Sequence, residues 1–137
     1  MARIILAISF LACQALGQEL NGASVSSAFG NKINLYERDI GGVLVFALAN
    51  DMPSAVEHYE IEVLGVYEHT PTHRVCSIDV NKASIPSQSK ALLANTCALD
   101  TSLGKPLSHA SRIVAVRLAN GWEWHRRAPV ISQKSQP

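Results

Sequence analysis

Charge is scarce in this sequence, and its sign is balanced. Charged residues make up 17% of the 137-residue chain, against a usual quarter or so, and 12 Lys plus Arg stand against 11 Asp plus Glu. A protein whose main partner is a nucleic acid needs a basic excess to neutralise phosphates. The concentrated basic feature here is one pair, Arg126-Arg127, so no nucleic-acid partner is expected. No Asn-x-Ser/Thr sequon occurs, which removes N-glycosylation as a determinant of the surface. No Gly-x-Ser-x-Gly elbow, phosphate-cradling glycine loop or dinucleotide fingerprint is present, and no motif implies a cofactor. Ser, His and Asp all occur, but without a nucleophile turn their presence assigns no hydrolytic chemistry. The glycine pair Gly41-Gly42 precedes a strand pattern and not a helix, so it is expected to shape a bulge or a tight entry. Beyond the first residues no apolar run is long enough to cross a bilayer.

What is present begins at the N-terminus. Arg3 is followed by an apolar run from Ile4 to Leu16, broken by Ser9, Cys13 and Gln14 and ending at Ala15-x-Gly17. A charged start, a short apolar centre and a small-residue cleavage pattern describe a secretory signal peptide over residues 1–17, and the run falls short of the roughly 20 residues that span a membrane. The expectation is a secreted or periplasmic protein. The stretch Phe10-Leu11-Ala12-Cys13 also partly matches a lipoprotein attachment box, which would anchor the chain at Cys13 instead. Once the leader is gone, two of the three cysteines remain. In an oxidising compartment Cys76 and Cys97 are expected to bond, stabilising the fold by roughly 3 kcal/mol; the alternative is a pair of free buried thiols.

Residues 18–32 are small, polar and Gly/Ser-rich and read as a flexible leader or a loosely docked first strand. Order is expected from Ile33. Val43 to Ala49 is apolar on both faces and stops at Asn50-Asp51-Met52-Pro53, which describes a central strand and a turn. Tyr59, Ile61 and Val63 alternate with His58, Glu60 and Glu62, the period of a half-buried antiparallel strand whose glutamates face water. Further strand signals fall at Arg74 to Asp79, around Leu92 to Leu99 and at Arg112 to Ala119, separated by turn clusters holding Pro71, Pro86, Gly104 and Pro106. Lys90 to Ala94 suits a helical turn as well as a strand, and Ser87 to Asn95 is read as loop then strand. The tail 128–137 is polar and expected to be mobile. The pattern predicts one antiparallel β-sandwich over 33–127, of about seven strands. It resembles immunoglobulin-like sandwiches in strand count, turn spacing and length. It lacks two marks of true immunoglobulin domains, since the cysteines are closer in sequence than the usual inter-sheet bridge and no Trp lies between them.

The segment Arg112 to His125 holds an Asn120-Gly121 hairpin signal. A two-residue loop would leave both indoles on the face away from Val114, Val116 and Leu118. A three-residue loop, Ala119-Asn120-Gly121 with Gly121 left-handed, sets Leu118 toward Trp122, Val116 opposite Trp124 and Arg117 opposite Glu123. The second register gathers the apolar groups on one face and pairs opposite charges, so it is the expected one, with both tryptophans in the core. The alternative is a binding patch of Arg117, Trp122, Trp124 and Arg126 able to stack on sugars or a partner's side chains.

His69-Thr-Pro-Thr-His73 offers two imidazoles across a short loop, a low-specificity metal reading because Pro71 opposes a helix and no further ligand lies near in sequence. His58, His109 and His125 read as surface residues. Catalytic residues are not identifiable, and the leading expectation is a non-catalytic binding or assembly module that meets another protein through a sheet edge or exposed face. The alternatives are a small metal protein or enzyme using His69 and His73, and a carbohydrate-binding module using Trp122 and Trp124.

Overall fold

The computed structural model describes Leu20 and residues 22–127. The expected signal peptide, with Cys13, and the expected tail lie outside the described residues. Nine strands follow one another: β1 (Ser26–Ala28), β2 (Ile33–Ile40), β3 (Val43–Asn50), β4 (Val56–Val66), β5 (His73–Val80), β6 (Ser89–Leu92), β7 (Cys97–Ala98), β8 (Ser108–Leu118) and β9 (Glu123–His125). They form two antiparallel sheets. The five-stranded sheet runs β1-β2-β3-β6, with β7 also on β3, and the four-stranded sheet runs β5-β4-β8-β9. Among the described residues no helix is long and apolar enough to cross a membrane.

The sandwich follows from period-two patterning. On β3, Leu44, Phe46 and Leu48 are fully buried, and they meet Val56, Ile61 and Val63 of β4 and Ile113, Val116 and Leu118 of β8 in one core cluster. Each such side chain removed from water contributes about 1.5–3 kcal/mol. Asn50 closes β3 with a buried amide: Nδ2 donates to the carbonyls of Ser54 (3.0 Å), Ile85 (3.0 Å) and Pro86 (3.2 Å), while Oδ1 accepts from Met52 N (2.9 Å).

Three local expectations change, and the strand reading of Lys90 onward holds. β1 pairs with β2 within 18–32, so the paired chain begins before Ile33. Gly41-Gly42 is a two-residue hairpin turn joining the pair Ile40 and Val43, with φ of 61° and 88°; positive φ at both positions matches the twist of the flanking strands, which glycine adopts without strain. Lys90 to Leu92 is strand and not helical turn, because β6 completes its hydrogen bonding on β3 opposite Ala47 to Ala49. The single strand expected over Leu92 to Leu99 is divided into β6 and β7, both on β3.

Cys76 and Cys97 stand at disulfide distance, with Sγ atoms 2.01 Å and Cα atoms 6.0 Å apart. β5 lies in one sheet and β7 in the other, so this pair spans the two layers despite a sequence separation of only 21.

Ser111, 5% exposed on β8, has no hydrogen-bond partner for Oγ among the described residues. A buried hydroxyl without a partner costs desolvation energy and returns nothing. Ser111→Ala is therefore expected to leave stability unchanged or raise it by up to about 1 kcal/mol. Thermal melts would check this, and a loss above 1 kcal/mol would show a hydroxyl that is bonded.

Candidate functional site

The C-terminal hairpin adopts the three-residue loop. Val116 stands opposite Trp124 and Arg117 opposite Glu123, Gly121 has φ 93°, and Leu118 N donates to Trp122 O. The two tryptophans nevertheless part company. Trp124 is partly buried against the core, whereas Trp122 is 55% exposed, because Trp122 stands at the loop end of the ribbon, beyond the last ladder pair Arg117 and Glu123. Arg126 donates from Nε to Ile113 O (2.8 Å) and from Nη2 to Ser26 Oγ (2.9 Å), and its guanidinium lies 5.5 Å from the Trp124 ring centre. Burial and the neighbouring Arg112 lower the Arg126 pKa from its ordinary value, with Glu62 opposing. Arg126 thus clasps β1 to β8. Arg117, paired with Glu123, lies across the ribbon from Trp124, and its Nε is 3.8 Å from Glu57 Oε2. The four residues therefore do not share one surface.

The histidines also separate. His69 is highly exposed in a loop beside Glu68, while His73 opens β5 with its ring edge-on to Tyr67. His109 turns inward: its Nε2 lies 2.6 Å from Glu37 Oε2, with both side chains mostly buried, so it ties β8 to β2 of the other sheet instead of facing solvent. His58 faces outward from β4, where Nε2 lies 2.8 Å from Asp79 Oδ1 and 3.8 Å from Glu60 Oε1. Glu62, expected in water, is only 9% exposed. Arg112 bonds its Oε1, and Arg74 Nε lies 3.4 Å from its Oε2.

The outer face of the five-stranded sheet is a surface that sequence reading did not assemble. Because Leu44, Phe46 and Leu48 point inward, alternation turns Val43, Val45, Ala47 and Ala49 outward. Their neighbours in register share that face: Ile40 beside Val43, Arg38 beside Val45, Tyr36 beside Ala47, Leu92 beside Ala47 and Ala98 beside Val43. Ile40, Val43 and Leu92 are 46%, 36% and 47% exposed. Ile40 and Val43 are adjacent, and Leu92 lies further along the same face beyond Arg38 and the buried Ala47; exposed apolar groups gathered on one sheet face are of the kind that marks an interaction site.

A groove of about 340 Å³ continues the patch, lined by Asn34, Tyr36, Ala49, Ser89 and Lys90 among others. Lys90 Nζ sits 3.9 Å above the Tyr36 ring and donates to Leu20 O at 2.9 Å. Burial lowers its pKa from the ordinary lysine value. Leu20 is 1% exposed although it is not part of the core cluster. The Leu20 carbonyl thus already accepts from Lys90 at this groove.

The apolar run of β3 was legible, but it was read as a strand buried on both sides. Nothing in the sequence says that β6 and β7 would bring Leu92 and Ala98 beside it.

No protein-family model, curated protein or solved structure matches this chain.

Proposed function

We propose that this chain is an exported, immunoglobulin-like, non-catalytic binding module that engages a protein partner through the outer face of its five-stranded sheet. The observation that carries the reading is the exposure of Ile40, Val43 and Leu92 on one sheet face, beside the Lys90 groove. The partner surface this face fits presents an apolar side chain to Ile40, Val43 and Leu92 and a main-chain carbonyl to Lys90, whose Nζ already donates to such a carbonyl, that of Leu20.

Export is supported by the leader pattern and by a cysteine pair at disulfide distance, a bond that persists outside the reducing cytosol. The immunoglobulin-like type is supported by strand order. Taking β2, β3 and the β6/β7 pair as A, B and E, and β4, β5, β8 and β9 as C, C′, F and G, gives A-B-E facing C′-C-F-G, with β1 as an added first strand and C′ beside C as in variable-type domains. The free edge β5 is a poorer docking element. It carries His73, Arg74 and Asp79 and a register shift opposite Val63/Leu64, and such charges and bulges protect edges from strand addition.

The test is a photocrosslinking amino acid placed at Leu92, compared with one at Leu107, which is 71% exposed elsewhere. A partner trapped from position 92 alone, and lost at least about tenfold on Ile40→Glu, is the expected result for a hydrophobic hot spot. Equal trapping from both positions, or trapping insensitive to Ile40→Glu, would overturn the reading.

A further inference from the structure

We infer that the outer face of the four-stranded sheet, on the far side of the sandwich from the proposed docking face, carries a divalent transition-metal site of the zinc class built from His58, Glu60 and Asp79. One potential ligand atom from each of these residues lies within 4.8 Å of the others, the one such group of three or more His, Cys, Asp and Glu found among the described residues. The sheet itself assembles them. Glu60 and Asp79 are directly opposed in the β4–β5 register, and His58, two residues before Glu60, falls on the same face by alternation.

The imidazole is held firmly, with its side chain 14% exposed, while Glu60 and Asp79 are 39% and 50% exposed. A metal would therefore meet one fixed nitrogen and two carboxylates that adjust from solvent. Zinc takes imidazole nitrogen and carboxylate oxygen at about 2.0–2.2 Å in tetrahedral geometry. Ligand atoms around such an ion stand somewhat over 3 Å apart, so the present separations of 2.8 and 3.8 Å bracket the requirement. The ion would take Nε2 of the neutral imidazole, the tautomer that carries its proton on Nδ1. Two carboxylates offset the dication. The cation facing this group is Arg117, opposite His58 in register and drawn toward Glu57 at 3.8 Å. Three protein ligands leave a fourth position for water or for a donor from another molecule, the open arrangement that distinguishes such sites from closed structural ones. His69 and His73, the pair suggested by spacing, take no part in this group.

Isothermal titration of the purified, untagged protein with zinc chloride tests the assignment. One site per chain is expected, weakened at least about tenfold in both His58→Ala and Asp79→Asn and unchanged in the double variant His69→Ala/His73→Ala. The Asp79→Asn variant guards against misfolding, since Asp79 is half exposed. A ¹⁵N shift of the His58 imidazole on zinc addition provides a readout that a salt bridge alone would not move. Absence of saturable binding at millimolar zinc, or binding that survives His58→Ala or disappears with His69→Ala/His73→Ala, would overturn the proposal and leave His58 as the centre of an ion pair. Neither outcome bears on crosslinking at Leu92.

Discussion

Asn50→Asp is expected to destabilise the protein by about 3–5 kcal/mol, the cost of leaving a buried charge without its partner. The substitution is nearly isosteric, so packing is not at issue. The native Nδ2 faces three carbonyl oxygens, those of Ser54, Ile85 and Pro86, from a residue 1% exposed. A carboxylate oxygen in that position turns a donor into a charged acceptor pointed at acceptors. Losing these bonds also uncouples two connections, because the link from β3 to β4 is fastened here to the stretch before β6, where Ser87 Oγ donates to Met52 O. Chemical denaturation at neutral pH would measure the loss, with a fall in Tm of about 10–20 °C.

The sign of its pH dependence is fixed. Burial among carbonyls raises the pKa of the new carboxyl above its unfolded value near about 3.9, so the neutral acid is favoured in the fold. Part of the loss should then return as pH falls through that raised value, since the protonated acid again donates. A variant within 1 kcal/mol of the parent at neutral pH would refute the account of Asn50 as the hub of these two connections.

Removing the Cys76–Cys97 link, by reduction or by the double change to Ala, is expected to cost about 3 kcal/mol on the chain-entropy model for a loop of this length. The loop covers β6 and its flanks, with a sequence separation of 21, and β6 and β7 are short strands that hold to β3 alone. Without the bridge these strands lose their tether to β5, and the denatured chain gains freedom. Urea denaturation with and without reductant would show the midpoint fall. The m-value should rise, because the unlinked unfolded chain exposes more surface. Cys97 is 1% exposed, so reduction should be slow until denaturant opens the sandwich. A difference below 1 kcal/mol would place the stability of the β6–β7 region in its contacts with β3 instead.

Legibility followed the range of the interaction. The alternation of β4, the apolar run of β3 and the hairpin from β8 to β9 were readable because period and turn chemistry are local, and a one-residue slip there would have turned every apolar group outward. Gly41-Gly42 carried a hairpin signal as well, both glycines being suited to positive φ, but it was read as an entry to a single strand. Trp122 and Trp124 were given one fate on periodicity, although only Trp124 lies within the paired ribbon. Glu62 followed the pattern in facing outward, yet Arg74 and Arg112, from strands on either side, cover it.

By itself the sequence determined an all-β sandwich, the strand face that would be core, the pairing of Cys76 with Cys97 and the register of the last hairpin, because each of these rests on nearest neighbours, on residue count or on the burial of one face. Tertiary structure alone decided which strands stand side by side. That order set Leu92 onto the face that Ile40 and Val43 share, brought His58 and Glu60 against Asp79, carried the Cys76–Cys97 link from one sheet to the other and turned His109 inward onto Glu37. Such contacts depend on how the chain crosses between sheets. Alternation along a strand fixes the face a side chain takes and leaves its neighbours across the sheet to the global packing of the core.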